Sequence, residues 1–288
     1  MPSTRAARLS IVVAAILFST GGAAIKGTAL TAFQVAGLRS GVAAVAIALF
    51  LPATRRGMRV DLLPAALAYA ATLVCFVVAT KLTTAAAAIF LQATAPIWVL
   101  VLSPFLLREP LRAADLPYVG LAALGLVLVF FGSLGSRGAA ASAPLPEIGN
   151  ALGLAAGLFY ALLMITMRRL ARGGEAGDRS LAAMVLGNAL AFLSCLPLAV
   201  PLGDVTLHDA LAVAYLGVVQ IGLAYWFFAR GLRSLPALEV ALLVLVEPVL
   251  NPLWTWILEG EAPSALVLLG GAVMIVALAA RAILTERA

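Results

Sequence analysis

The hydrophobic residues of this chain fall into ten runs separated by short polar stretches. Each run has about the length, roughly 20 residues, that an α-helix needs to cross the hydrocarbon core of a bilayer. The runs cover residues 9–26, 32–52, 62–81, 84–107, 115–135, 148–168, 180–200, 209–229, 236–258 and 264–284. The pattern predicts an all-α integral membrane protein with ten transmembrane helices, called spans 1 to 10 below.

The composition excludes a water-soluble protein. Hydrophobic residues make up 64% of the 288 residues, charged residues only 11%, and the mean hydropathy is +1.10. Soluble domains carry roughly 25% charged residues, so this chain cannot cover itself with a polar surface. Ten spans leave only short loops, and we expect no extramembrane domain beside them.

The basic residues lie almost entirely in alternate loops. Fifteen fall on one side of the predicted membrane and three on the other, namely Lys26, Lys81 and Arg137, while Arg39 lies within span 2. Loops rich in Lys and Arg stay in the cytoplasm, so we expect both termini there and the protein in a bacterial-type plasma (inner) membrane. The arginine excess then faces anionic lipid and does not indicate nucleic acid as a partner.

A stretch rich in Gly, Ala, Ser and Pro separates two similar halves of the chain. It covers residues 136–146 and predicts a linker between a first unit, 1–135, and a second unit, 147–288. The first span of each unit contains a similar motif, AAILF at 14–18 and AAGLF at 155–159. The two halves therefore read as a duplication.

Spans 4 and 9 carry a second echo of this duplication. Pro96 is followed thirteen residues later by Glu109, and Pro248 by Glu261 at the same distance. Because each half has five spans, an odd number, the second half enters the membrane from the opposite side. Inverted repeats place two similar bundles around a site near the midplane, which is the architecture of a carrier.

Several of these features together resemble a known family. The ten-span duplication, Arg39 in span 2, Glu247 next to Pro248, and Glu261 at the end of span 9 are similar to the drug/metabolite transporter superfamily, EamA type, over essentially the whole chain. The resemblance implies two five-helix units around a central cavity, and the sequence is compatible with either a monomer or a homodimer. The resemblance also implies export of small metabolites, and within the superfamily the YddG-like amino-acid exporters are the suggested subgroup.

Glu247 is the acidic residue predicted to lie deepest in the membrane. It follows the start of span 9 at Pro236 by eleven residues, about 16 Å of helix. A charge at that depth must be paired, hydrated or protonated. Glu247 is therefore interpreted either as a site for a substrate ammonium or a proton, or as a structural partner of Arg39, or as a cap on a broken helix. Glu239, near the start of the same span, is expected to be an ordinary acid at a helix N-terminus.

Arg39 is predicted at a depth comparable with that of Glu247, about 10 Å from the outer end of span 2, where the span begins. Its guanidinium is a candidate for binding a substrate carboxylate through two hydrogen bonds. The alternative is a packed arginine that backbone oxygens or an acid satisfy, beside the close helix contact that Gly37 and Gly41 predict.

Uncharged polar and aromatic residues at similar depths complete the candidate binding site. They would suit a mostly apolar pocket with a few polar contacts for an aromatic or other neutral amino acid, although Gln and Asn also bridge helices and Trp often lies at interfaces. The predicted set is Gln92, Trp98, Tyr160, Gln220, Tyr225 and Asn251.

Prolines and glycines within spans are the predicted hinges. Each proline removes a backbone donor, and Pro96 and Pro248 do so at matching places in the two halves. A second proline of span 9, Pro252, and the pair Gly21–Gly22 at the end of span 1 belong to the same set. Whether these breaks move during transport or are fixed bends stays open at this stage.

The sequence gives no indication of an enzyme, a metal site or a cofactor. The chain has a single histidine, His208, and two distant cysteines, Cys75 and Cys195, and we find no nucleotide-binding motif. We therefore expect a secondary transporter that exports small metabolites, most simply amino acids, by alternating access. A multidrug or nucleoside exporter of the same fold and a small-solute channel are the alternatives. Proton coupling through Glu247 and facilitated diffusion are both compatible with the sequence.

Overall fold

The computed structural model describes residues 4–52, 54, 59–109, 113–133, 143–171, 176–259 and 264–286, and the regular structure in these ranges is helical. Eight helical regions are long and apolar enough to cross a membrane. They are Thr4–Lys26, Ala32–Phe50, Val60–Leu82, Ala85–Leu106, Ala113–Gly132, Pro146–Ala171, Arg179–Ala199 and Leu207–Leu232, spans 1 to 8. Span 9 follows as the helices Ala237–Val244 and Val246–Glu259, and span 10 as Ala265–Glu286. The predicted fold class, all-helical with ten spans, is confirmed.

Some residues used in the sequence interpretation lie outside the described ranges. They are Arg55, Arg56, Arg112, Arg137, Arg172, Arg287, Glu261 and residues 136–142 of the predicted linker.

The outer surface of the helix bundle is apolar. Phe50 and Phe105 are 78% and 81% exposed, and many leucines and valines along the spans are exposed as well. A soluble protein does not leave so much contiguous apolar surface in water. The bilayer therefore covers this surface, as the hydropathy predicts.

Because successive spans run in opposite directions, their ends form two faces. One carries the arginines of the described loops and is called the arginine face; the other carries Lys26 and Lys81 and is called the lysine face. The arginine face holds Arg5, Arg8, Arg59, Arg108, Arg168, Arg169, Arg179, Arg230 and Arg233.

Threonines begin three of the spans. Thr31, Thr84 and Thr206 precede spans 2, 4 and 8, and the hydroxyl of each accepts a hydrogen bond from the backbone N–H three residues later, at 3.3, 3.1 and 3.1 Å. Each bond satisfies a donor that the helix geometry leaves free. In spans 2 and 8, Gln34 and Asp209 also accept the N–H of the capping threonine, which completes a capping box.

Three spans are interrupted along their length. Span 1 consists of the helices Thr4–Ser19 and Gly21–Lys26, and span 4 of Ala85–Gln92 and Ala95–Leu106. Span 9 is interrupted at Leu245. The breaks in spans 4 and 9 lie just before Pro96 and Pro248, because a proline early in a helix leaves the preceding turn without a donor. The third proline, Pro252, lies inside Val246–Glu259, which continues through it.

Span 8 changes its helical geometry instead of breaking. Leu207–Tyr215 and Ala224–Leu232 are α-helices, and Leu216–Leu223 between them is a π-helix. A π-helix has a wider turn, and such turns are often found at functional sites. Gln220 lies within this segment and Tyr225 two residues after its end.

The contacts between spans follow a twofold pattern. Span 3 packs on spans 6 and 7, and its counterpart in the second half, span 8, packs on spans 1 and 2. Span 4 packs on span 6, and its counterpart, span 9, packs on span 1. Spans 2 and 7, which are counterparts, contact each other, and so do spans 5 and 10. All of these contacts join the two halves. A site between the halves is therefore built by both, and the unit boundaries 1–135 and 147–288 stay predictions.

Span 6 lies close to span 4 at Gly157. A Cβ at this position would lie 2.6 Å from Thr94 Oγ1 and 2.9 Å from the backbone oxygen of Leu91. Small residues allow such close approach of helices in membranes. The glycine is thus required by packing.

We expect the substitution Gly157→Ala to destabilise the protein by about 1–3 kcal/mol, because the added methyl group overpacks this contact. The matched control is Gly120→Ala in span 5, where a Cβ would meet no atom within 4 Å. This control should be neutral or slightly stabilising, since alanine favours a helix over glycine. Thermal unfolding of both variants in detergent measures the difference, and equal melting temperatures would contradict the packing argument.

Candidate functional site

A narrow cavity lies between the two halves of the bundle. It has a volume of about 20 Å³, and a neighbouring cavity of about 10 Å³ shares Gln92, Tyr160 and Glu247 with it. A single water molecule needs roughly 10–15 Å³ by this kind of measure, so the cavity holds little more than one water in this conformation. Its lining consists of Phe18, Arg39, Thr72, Leu73, Phe76, Gln92, Tyr160, Gln220, Ile221, Tyr225 and Glu247.

The structure brings together six of the eight side chains that the sequence suggested for substrate binding. These six line the central cavity and come from spans 2, 4, 6, 8 and 9: Arg39, Gln92, Tyr160, Gln220, Tyr225 and Glu247. The other two do not line it. Asn251 is buried beside Gly22, and Trp98 packs against the hydrophobic core. Their role in binding stays a prediction.

Arg39 is buried at the junction of spans 2, 3 and 8, with 1% of its surface exposed. Its Nη1 donates to Gln220 Oε1 and its Nη2 to the backbone oxygen of Leu73, both at 3.3 Å. Gly37 and Gly41 on the same helix contact span 7 closely, as their spacing predicted. A buried guanidinium requires such partners, because removing it from water without them costs several kcal/mol.

Glu247 lines the same cavity and is 4% exposed. No basic side chain within the described ranges is close enough to form an ion pair with it. The interpretation of Glu247 as a structural partner of Arg39 is therefore not supported, since Arg39 bonds to Gln220 and Leu73. An acid and a base face one cavity without neutralising each other directly.

Three buried polar atoms around the cavity have no hydrogen-bond partner among the described residues. They are Arg39 Nε, Gln92 Oε1 and the hydroxyl of Tyr160. Each unsatisfied buried group of this kind destabilises a protein by about 1–3 kcal/mol. A polar ligand entering the cavity is placed to satisfy them.

An aromatic cluster lies between the cavity and the arginine face. The centre of the Tyr225 ring lies 4.7 Å from that of Phe18 and 4.6 Å from that of Tyr69. The centre of the Phe228 ring lies 5.6 Å from that of Tyr225 and 6.1 Å from that of Tyr160. Tyr69 also accepts a hydrogen bond of 3.1 Å from Asn188 Nδ2. Offset and edge-to-face rings pack firmly together. The packed rings of the cluster thus close one side of the cavity.

Sequence reasoning did not identify Phe18, Tyr69 or Phe228 as part of this region. Each lies in an apolar run among many similar residues. Only the contacts between their rings in the folded protein distinguish them. Tyr69 had one signal, because a tyrosine hydroxyl deep in a span needs a partner. Asn188, its partner, is a polar residue near the middle of span 7 that was not considered.

The interrupted helices place several predicted hinge residues beside the cavity. Pro96 and Pro248 line the smaller cavity. A Cβ at Gly21 would lie 2.7 Å from Gln220 Nε2, and one at Gly22 2.9 Å from Ile89 Cδ1. The two glycines thus make room for neighbouring side chains, whether or not the backbone bends there during transport.

Three ion pairs join the halves on the arginine face within the described ranges, and one of them links Arg179 of span 7 to Asp61 of span 3. Arg8 Nε lies 2.7 Å from Glu239 Oε1, linking spans 1 and 9, and Arg168 Nε lies 3.3 Å from Glu109 Oε1, linking spans 6 and 4. Arg168 also donates to the backbone oxygens of residues 232 and 233 at 3.0 and 2.8 Å. Glu239 lies in the first helical turn as expected, but it is buried and paired across the halves, which the sequence did not reveal.

The contacts described on the lysine face are hydrogen bonds, two of which involve a charged side chain. Thr83 Oγ1 donates to Asn150 Oδ1 at 2.9 Å and joins spans 3 and 6. Lys81 Nζ donates to the backbone oxygen of Thr28 at 2.8 Å, and the N–H of residue 29 donates to Asp209 Oδ1 at 2.9 Å. Both faces of the bundle are thus held together in this conformation.

Comparison with known proteins gives the same architecture. A crystal structure of another protein superposes on this chain with a TM-score of 0.78 at 22% sequence identity, covering 98% of each chain, which shows a shared fold. No curated protein matches the sequence. The sequence model of the EamA-like transporter family matches residues 6–131 and 147–280, one match for each half. The chain is therefore a multi-pass membrane protein that belongs to the EamA-like transporter family of the drug/metabolite transporter superfamily.

Proposed function

We propose that this transporter exports amino acids with aromatic or other neutral side chains by alternating access. The observation that carries the proposal is the presence of a basic and an acidic side chain in one cavity: buried Arg39 and Glu247 line it without bonding to each other. A zwitterion presents the complementary groups, a carboxylate for the guanidinium and an ammonium for the carboxylate. The aromatic walls fit an apolar side chain.

In this proposal Gln220 and Gln92 orient the substrate. Gln220 already accepts from Arg39, and it holds the guanidinium in position while Arg39 Nε stays available for the substrate. The free oxygen of Gln92 and the hydroxyl oxygen of Tyr160 line the same cavities as Glu247, where they would accept hydrogen bonds from the ammonium group. A nucleoside offers the site no such pair of opposite charges, and a cationic drug offers only one.

The movement would be a rocking of the two halves. The twofold contact pattern gives two similar conformations that open to opposite faces. The cavity has to widen before an amino acid fits, since it holds little more than one water. Contacts on both faces favour a carrier over a channel, because a channel needs a continuous open path. The Lys and Arg distribution supports cytoplasmic termini, and transport would then run from the arginine face outward.

Counterflow in proteoliposomes tests the substrate. We expect preloaded phenylalanine, tyrosine or leucine to accelerate uptake of the labelled amino acid, whereas nucleosides and cationic dyes do not. An amino-acid amide, which lacks the carboxylate, and the deaminated acid, which lacks the ammonium, should compete at least about tenfold more weakly, the loss expected for one hydrogen bond to a charged group.

Substitutions of Arg39 and Glu247 show in that assay which group of the substrate each charge recognises. Arg39→Gln should remove the discrimination against the amide, and Glu247→Gln the discrimination against the deaminated acid. Arg169→Gln and Glu147→Gln, exposed residues of span 6, are the matched controls. Exchange of nucleosides but not amino acids, or equal effects of both site variants on both analogues, would overturn the proposal.

Proton coupling is tested on the same Glu247. If a proton leaves or enters this carboxylate during each cycle, a pH gradient across the liposome accelerates transport by the parent protein. Glu247→Gln cannot exchange a proton and should bind substrate yet ignore the gradient. Unchanged gradient dependence in this variant would exclude the proton role and leave facilitated diffusion.

The arginine-face ion pairs should resist opening on that side. The pair Arg8–Glu239 is mostly buried, so removing it should destabilise the closed face by about 1–2 kcal/mol, between the values for exposed and buried pairs. The reporter is Thr72→Cys, labelled by an impermeant maleimide in a protein whose Cys75 and Cys195 are replaced. We expect Glu239→Gln to increase the rate of labelling from the arginine face about five- to thirtyfold.

A variant on the other face is the control for this experiment. Thr83→Val removes the hydrogen bond to Asn150 and should increase labelling from the lysine face only. The exchange Arg8→Glu with Glu239→Arg should restore slow labelling. Equal labelling from both faces in every variant would show that these contacts do not control access.

A further inference from the structure

A groove on the lipid-facing surface of the bundle is much larger than the central cavity. It has a volume of about 340 Å³ and opens between spans 2 and 8. This volume lies in the range of about 300–1,000 Å³ that is typical of small-molecule sites. Apolar residues form the lining: Ala46, Ile47, Phe50, Leu51, Val218, Val219, Gly222, Leu223 and Trp226. Nothing in the transport proposal uses this groove.

The groove results from the way spans 2 and 8 diverge. At Gly217 the two spans touch, since a Cβ there would lie 2.6 Å from Val42 Cγ1 and 2.8 Å from the backbone oxygen of Arg39. Five residues later, a Cβ at Gly222 would lie 3.8 Å from Ile47 Cγ1, the nearest atom of span 2. The space therefore widens toward the arginine face, where span 2 ends at Phe50.

A cationic group stands at the wide end of the groove. The guanidinium carbon of Arg230 lies 5.5 Å from the centre of the Trp226 ring, and Arg230 is exposed. Arg230 is two residues from the end of span 8, at the level where lipid headgroups begin. Indole rings favour this interface, and arginine binds phosphate through two parallel hydrogen bonds.

We propose that the groove binds one acyl chain of an anionic phospholipid from the leaflet at the arginine face, with its phosphate paired to Arg230. The apolar lining accepts the chain, and the charge at the rim selects the headgroup. Anionic lipids are attracted to basic residues at the membrane surface, which favours them over zwitterionic lipids.

Occupation of the groove would support the transport site. The inner wall of the groove is the π-helix Leu216–Leu223, and Val219 faces the groove while the next residue, Gln220, holds Arg39. A wide helical turn without packing on one side is free to change its geometry. A bound acyl chain therefore helps to keep Gln220 in place.

Lipid binding is measured directly by native mass spectrometry of the purified, delipidated protein. Phosphatidylglycerol and phosphatidylcholine with identical chains are the probes. We expect the parent protein to bind phosphatidylglycerol about fivefold more tightly, the effect of one arginine near a headgroup. Arg230→Gln should abolish this preference, while Arg169→Gln, an exposed arginine at the end of span 6, should retain it.

A second variant tests the groove itself. Val219→Trp fills the space with a bulky side chain and should weaken binding of both lipids, with the fold checked by circular dichroism and gel filtration. Equal binding of the two lipids by the parent, or equal loss in Arg230→Gln and Arg169→Gln, would overturn the proposal. Because binding is measured without substrate, its failure is distinguishable from a failure of amino-acid transport.

Discussion

The burial of Arg39 in the middle of the bundle is the constraint on which the arrangement of the site depends. A guanidinium at that depth needs partners, and in this protein they come from two other spans: Leu73 in span 3 and Gln220 in span 8. Spans 2 and 3 belong to the first half and span 8 to the second. Satisfying one charge therefore ties the two halves together at the cavity, and it explains why Gly21 and Gly217 have no side chain where they approach Gln220 and Arg39.

The duplication gives the molecule its symmetry, and single residues depart from it. The main contacts between spans have equivalents in which the corresponding spans of the other half take their places, and spans 4 and 9 are interrupted at corresponding positions. Yet Arg39 and Glu247 have no counterparts in spans 7 and 4, and the described arginine face is held by ion pairs where the lysine face uses hydrogen bonds such as Thr83 to Asn150. Related contacts of unequal strength would make the two open conformations unequal in free energy, which a transporter with a preferred direction of loading can use.

The sequence predicted the fold well because the bilayer imposes it. A run of about 20 apolar residues has almost no alternative to a helix in hydrocarbon, and the charges in alternate loops fix the direction of each span. Depth along a helix also predicted which residues share a level, and Arg39, Gln220 and Glu247 indeed line one cavity. Rotation about the helix axis was not predictable, because spans that are apolar on every side show no preferred face. This is why Trp98 and Asn251 were included although neither lines the cavity, why Tyr69 and Phe228 were missed, and why the pairing of Glu239 was not foreseen.

The unsatisfied polar atoms around the cavity connect the energetics of the closed state with transport. When the bundle closes without substrate, Arg39 Nε, Gln92 Oε1 and the Tyr160 hydroxyl lose water and gain no partner. With each such group destabilising the closed state by about 1–3 kcal/mol, the empty protein would change conformation slowly. A substrate that supplies partners for these atoms would lower the free energy of the closed state relative to the open states. The same interactions that recognise the substrate would then accelerate the conformational change, so that a loaded transporter exchanges rapidly while an empty one keeps the membrane closed.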